Sequence, residues 1–292
     1  LYTSYSLPDS ASLDSKTLKG YTMDDYLNLL REVAPAIRAA NPDARIMGGP
    51  AMWVTGAYTI AMVEAGILDI VDIYGLHDYP AKEKPEERLT SNDKLLVAMK
   101  AHGGPKPLWM TEFSYFGSDD LPRKPFIPIP GLWSETRLLS EKDAADYIVR
   151  YCTIFLGRGG ERIFLHSGCI GSVNKPGTES CMFADGAVRK VFPAMAVFTE
   201  LMGAKPRHVV DKTEGGGLIF GFETGSRAVL VLWDPEEKAT ADVPKGAACL
   251  DIVGREIKDA QIRLTGSPVY LVGQSGTAKQ LLAECAVTLP PV

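Results

Sequence analysis

No stretch of the sequence reaches the roughly 18 consecutive apolar residues that a membrane-spanning helix needs, and no basic-then-apolar leader opens it. A basic block is missing too: the 31 Lys and Arg are spread along a chain of net charge −5. Phosphate binding needs cations concentrated on one face, so the pattern argues against nucleic acid as a partner. Cysteine is sparse, five residues with no C-x-x-C pair, which argues against a disulfide framework or a zinc knuckle. Buried free thiols are the expected state, with closure of a Cys169–Cys181 loop the alternative. Tandem repeats and low-complexity tracts are also lacking. What remains is 292 residues, 46% hydrophobic and 23% charged, the balance of a soluble globular protein with room for one large domain or two.

From Thr22 to about Ala40 the residues Tyr26, Leu29, Leu30, Val33 and Ile37 recur at helical spacing, with Thr22 and Asp25 as an N-cap pair. Pro35 is expected to kink or split this helix. A short strand follows over Arg45–Pro50, running into a Gly-Gly-Pro turn. The same plan repeats: a helix near Thr55–Glu64 and a strand over Ile67–Tyr79; a helix near Asn92–Ala101 and a strand ending at Glu112; a helix near Glu141–Leu156 and a strand over Arg162–His166. A last helix spans Phe192–Met202. The connections suit only parallel crossovers, so the sheet is expected to be parallel with its helices outside. After Gly203 the texture changes to apolar strands between Gly, Asp and Pro turns: His208–Val210, Leu218–Phe222, Ala228–Trp233, Ala248–Val253, Gln261–Leu264 and Val269–Val272. An all-β appendix is expected there. The Phe113–Ser140 loop carries Tyr115, Phe116, Phe126 and Trp133 among prolines, which favours an ordered, functional wall.

Chemistry concentrates at strand ends. Leu108, Trp109 and Met110 form a continuous apolar run that suits a strand covered on both faces, and the run stops at a carboxylate, Glu112. Trp53 lies just past the Gly-Gly-Pro turn, His77 and Tyr79 close the second strand, and His166 closes the fourth. Parallel strands point one way, so these groups can converge on one concave rim. A carboxylate beside a phenol and an imidazole, walled by tryptophan, suits sugar chemistry: flat faces hold the ring and the carboxylate meets the oxocarbenium-like carbon.

The order Tyr26-Leu-x-Leu-Leu, Ala36-Ile-Arg-x-x-Asn41-Pro-Asp-Ala, Gly48-Gly-Pro50, Val71-Asp-x-x-x-x-His77-x-Tyr79 and Pro107-Leu-Trp-x-Thr-Glu112 resembles the later half of a retaining glycoside hydrolase. The similarity is to the barrel clan with catalytic carboxylates on strands four and seven, most of all to family 39 xylosidase-like and related cellulase-like enzymes. Asp185-Gly186, Arg189 and Pro193-Ala194 resemble the segment leading into their final helix. Trp233-Asp234, Asp251-Ile-Val-Gly254 and Ser267-Pro-Val-Tyr270 resemble the small sandwich that follows. The resemblance implies an α/β fold. Residues 1–204 would be the C-terminal half of a (β/α)8 TIM barrel, strands five to eight, and residues 205–292 a small all-β sandwich.

It further implies that Glu112 is the nucleophile and that Tyr79 and His77 contact it or the sugar. Trp53, Tyr115, Trp133 and His166 are the further candidate substrate contacts. The substrate would be an oligo- or polysaccharide or another glycoside, with no metal ligand and no organic cofactor, and a secreted or periplasmic location is favoured. The Asn-Glu pair that supplies the general acid/base at the end of strand four is missing: no glutamate precedes Glu32, which falls inside a helix, and Asp9 and Asp14 lack the motif. The expectation is a portion of a longer enzyme, opening at Leu1 and inactive in isolation. The alternative is a non-catalytic carbohydrate-binding or scaffold protein on a degenerate barrel. A metal-dependent hydrolase using His77, Asp78, His102 or His166 is disfavoured, because none of them shows H-x-H or H-x-x-x-H spacing.

Overall fold

A computed structural model describes residues 22–50, 57–117, 138–166, 181–182, 187–214, 217–225, 227–273 and 277–289. They fall into two compact units. The first holds the described residues up to Pro80 together with Glu87–Phe113 and Arg158–Leu165; the second holds Ala81–Glu86, Ser114–Gly157 and His166 onward.

The first unit opens with α1, Met23–Ala40, whose start is fixed by a reciprocal capping box between Thr22 and Asp25. The helix runs through Pro35 without being split, although the proline forfeits one intrahelical bond; its buried residues, Leu27 and Ala34, both precede that position. Next come β1, Met47–Gly48, and α2, Ala57–Glu64. The expected strand over Ile67–Tyr79 proves shorter. Ile67–Asp69 is a 3-10 turn entered from Gly66, whose φ of 88° is left-handed, and only Ile73–Asp78 is strand β2. Asp72 explains where pairing can begin. Its carboxylate accepts the Ile46 N–H at 2.7 Å and an Arg38 N–H at 3.0 Å, tying the end of α1 to the starts of β1 and β2. Then follow α3, Arg88–Ala101, β3, Leu108–Phe113, and β4, Gly160–Leu165.

These strands form one parallel sheet in the order β1-β2-β3-β4. Gly49 directly follows β1. Its φ is 153°, and a Cβ there would collide with the Gly75 carbonyl of β2, so no larger residue allows this approach.

The second unit begins with α4, Glu141–Gly157, and α5, Val191–Met202, followed by β5 Arg207–Glu214, β6 Gly217–Thr224, β7 Arg227–Trp233, β8 Thr240–Asp242, β9 Ala248–Leu250, β10 Glu256–Ile257, β11 Gln261–Arg263, β12 Val269–Gly273, α6 Ala278–Glu284 and β13 Val287–Thr288. An antiparallel six-stranded sheet runs β10-β9-β12-β7-β6-β5, and a three-stranded one runs β11-β8-β13. Leu230, Leu232, Cys249 and Leu271 of the first share a core with Ala241, Ile262 and Val287 of the second. The region is not all β as expected: α6 adds Ala278 and Leu281 to that core. Its start is another capping box, Thr277 with Gln280.

β7 is buried along nearly its whole length, which its unbroken apolar run, Ala228 to Trp233, requires of a strand covered on both faces. Phe220 of β6 stacks on Trp233 with centroids 5.5 Å apart. A polar knot lies in the same unit. Glu86 accepts two N–H bonds from the Arg150 guanidinium, at 2.8 and 2.5 Å, and one from the Trp233 indole at 2.7 Å. Cys152 and Cys249 are buried free thiols, as anticipated, and Cys181 and Cys285 are buried as well; Cys169 lies outside the described residues. Among the described residues no helix is long and apolar enough to cross a membrane.

Candidate active site

β3 starts as an ordinary half-covered strand, with Leu108 and Met110 buried and Trp109 between them less so. Strict alternation would send Glu112 to the same buried side as Leu108 and Met110. A register shift prevents this. Leu76 of β2 pairs with Met110, yet the next residue, His77, pairs with Glu112, so Thr111 is one residue too many. Its hydroxyl donates to the Leu76 carbonyl at 2.9 Å, supplying a partner where the ladder is interrupted. After the bulge the phase is reset: Phe113 is buried, and the Glu112 side chain is 41% exposed at the carboxyl end of its strand.

Two groups from β2 meet this carboxylate. Tyr79, just past the strand, donates its phenolic O–H to Glu112 Oε1. His77 places Nδ1 3.8 Å from Oε2, beyond hydrogen-bonding reach but close enough for the charges to interact. Burial raises the Tyr79 pKa well above the ordinary tyrosine range, and the bond to Glu112 adds to the effect. The phenol therefore remains a donor at neutral pH and the carboxylate the acceptor. Burial lowers the pKa of His77, while the Glu112 charge pulls the other way. Because the net direction is downward from the usual value, the ring is neutral at pH 7 and offers one donor and one acceptor nitrogen. The result is a half-exposed carboxylate with one oxygen held by a phenol and the other turned toward an imidazole. Such a group can attack an electrophilic carbon or stabilise a developing cation.

Of the residues singled out from the sequence, the structure thus brings Glu112, Tyr79 and His77 together. Trp53 and Trp133 lie outside the described residues. Tyr115 is placed differently from the expectation. It is fully buried in the second unit, its hydroxyl donates to the Glu83 carbonyl at 2.9 Å, and its ring meets Tyr147 and Tyr151 edge-on. Its polar tip is used in packing rather than offered to a ligand. His166, also in the second unit, directly follows β4 and is half-buried. His102, weighed as a metal ligand, is the exposed C-cap of α3. Among the described residues no group of three or more His, Cys, Asp or Glu is arranged to hold a metal ion.

The sequence pattern did not single out the Asp78–Arg88 pair. Asp78 lies between His77 and Tyr79, and its carboxylate accepts from Arg88 Nε at 2.8 Å and Nη2 at 3.4 Å. Both side chains are buried, Asp78 completely. An aspartate inside the apolar run Ile73-Tyr-Gly-Leu-His-Asp was a signal in itself, because a buried carboxylate needs a partner.

No family model and no curated protein matches the sequence. Solved structures do match the fold. A family 39 glycoside hydrolase from the gut symbiont Bacteroides cellulosilyticus WH2 superposes with a TM-score of 0.62 at 17% identity, covering 85% of this chain and 55% of that one. A glucosidase from Croceicoccus marinus gives 0.56 at 11% identity, over 86% and 64% respectively. A family 30 endoxylanase from Clostridium papyrosolvens C71 gives 0.52 at 13% identity, over 87% and 61%. The chain thus spans between about half and two thirds of these proteins. Its fold is that of part of a (β/α)8 barrel followed by a β domain, as in part of these structures.

Proposed function

We propose that this chain carries the nucleophile of a retaining glycoside hydrolase, Glu112, and that residues 1–204 belong to its catalytic barrel and 205–292 to an appended β domain. The observation that carries the proposal is the Tyr79-to-Glu112 hydrogen bond at the carboxyl end of a parallel strand. It holds a half-exposed carboxylate in one orientation where such folds place their chemistry. In the first step Glu112 attacks the anomeric carbon and forms a glycosyl ester as the aglycone oxygen departs; in the second, water cleaves the ester from the face the aglycone left. Protonating the aglycone and activating that water fall to a second carboxyl, which we assign to polypeptide that closes the sheet beyond β1 and β4. It would stand about 5–5.5 Å from Glu112.

The neutral His77 ring suits a sugar hydroxyl, and Trp53 and Trp133 are proposed as stacking faces. The substrate is accordingly a glycoside, and no step calls for a metal or organic cofactor. Two displacements restore the original anomeric configuration. Proton NMR of the first product released from a dinitrophenyl glycoside tests this: the substrate's own anomer is expected, and its opposite would overturn the double displacement.

A further inference from the structure

We propose that the buried Asp78–Arg88 ion pair is the positioning device of this site, fixing the end of β2 and thereby the reach of the Tyr79 hydroxyl to Glu112. The inference rests on Tyr79 and Glu112 being the working pair. Tyr79 is the first residue past the strand and is followed by Pro80, which has no backbone N–H to give. Its direction therefore depends heavily on the residue before it. Side chains alternate along a strand, so Asp78 points away from His77 and Tyr79, and whatever fixes its carboxylate fixes theirs by leverage through the shared backbone.

Arg88 opens α3, ten residues on, and its planar fork grips both carboxylate oxygens. A two-point grip sets orientation as well as distance, which an aliphatic contact of equal volume would not do. Burying two charges is costly, and a well-packed apolar pair commonly stabilises a core as well or better. Stability is thus not what such a pair is best suited to supply. Its location, on the residue between the two that meet Glu112, is where orientation counts.

The experiment uses the full chain labelled with ¹³C at the glutamate carboxyl carbons. The Glu112 resonance is identified by its disappearance in Glu112→Gln, and Tyr79→Phe shows where it lies without the phenol. Asp78→Leu combined with Arg88→Met keeps the volume and removes both charges. This chain is expected to melt cooperatively with the Glu112 resonance moved toward its Tyr79→Phe position. Adding Tyr79→Phe to it should then give less than the sum of the separate shifts. Arg88→Lys, which keeps the charge but loses the fork, is the second variant and should move the resonance in the same direction. A folded variant of either kind with the resonance at its wild-type position, or with fully additive shifts, would overturn the proposal and leave the pair a packing element. The resonance reports geometry and not turnover. If wild type never acts on a glycoside yet the shifts behave as described, the hydrolase assignment fails and the positioning role stands.

Discussion

Glu112→Gln is expected to lower kcat/KM of the complete enzyme on a dinitrophenyl glycoside by on the order of 10⁴-fold or more, about 5 kcal/mol of barrier. The amide keeps the size of the side chain and keeps an oxygen to accept the Tyr79 hydroxyl, so the bulge at Thr111 and the pairing of β2 with β3 have no reason to change. What goes is the anion that would bond to the anomeric carbon and balance the oxocarbenium charge. Steady-state kinetics alongside a melting curve separates the two effects. A variant with unchanged melting and lost turnover fits a nucleophile. A Gln variant within tenfold of wild type would mean that Glu112 only binds.

The second large effect concerns the fold of the β-rich unit. Arg150→Met should destabilise it by about 3 kcal/mol, the scale on which removal of one partner from a buried pair acts. Arg150 is almost wholly buried, grips Glu86 through two nitrogens and lies over the Tyr147 ring at 4.8 Å. Methionine replaces the stem but leaves the Glu86 carboxylate with the Trp233 indole as its remaining partner of this knot. Glu86→Gln should cost less, about 1 kcal/mol, because a neutral amide oxygen still accepts from the indole and carries no charge into the unit. Urea denaturation of both variants checks the order. A loss below about 0.5 kcal/mol for Arg150→Met would show that solvent, and not the guanidinium, balances the Glu86 charge.

What could be read from residues alone follows the physics of each signal. Glu112 at a strand end was legible because the apolar run Leu108, Trp109 and Met110 stops there, although β3 is half-covered and not covered on both faces as that run suggested. The bulge that exposes it was not, since it arises from how β2 and β3 align and leaves no mark in either strand's own pattern. Tyr79 and His77 were legible as polar groups at the end of the second strand, whereas their contact with the carboxylate was implied only by the family resemblance. Over Ile67–Val71 a short apolar run reads equally as strand or turn, and the outcome was settled by Gly66 and by Asp72 capturing the Ile46 N–H. Arg88 was missed because α3 was expected to begin at Asn92, which left the buried Asp78 without a candidate partner. Helix α6 begins with a capping box of Thr277 and Gln280, the same local signal that opens α1, within a region whose other segments have strand texture.

Covalent trapping tests the central claim, that Glu112 is the nucleophile, most directly. A 2-deoxy-2-fluoro glycoside with a dinitrophenolate leaving group suits this chain. The fluorine destabilises the oxocarbenium-like transition states and slows release of the ester, while the leaving group departs as a stable anion without a general acid. Glucosyl and xylosyl forms of the probe would be incubated with the chain, intact mass recorded, and the labelled peptide sequenced by fragmentation. One fluoroglycosyl unit on Glu112, absent in Glu112→Gln, is the predicted result. A label on any other residue, or an unchanged mass in a chain that hydrolyses the corresponding dinitrophenyl glycoside, would contradict it.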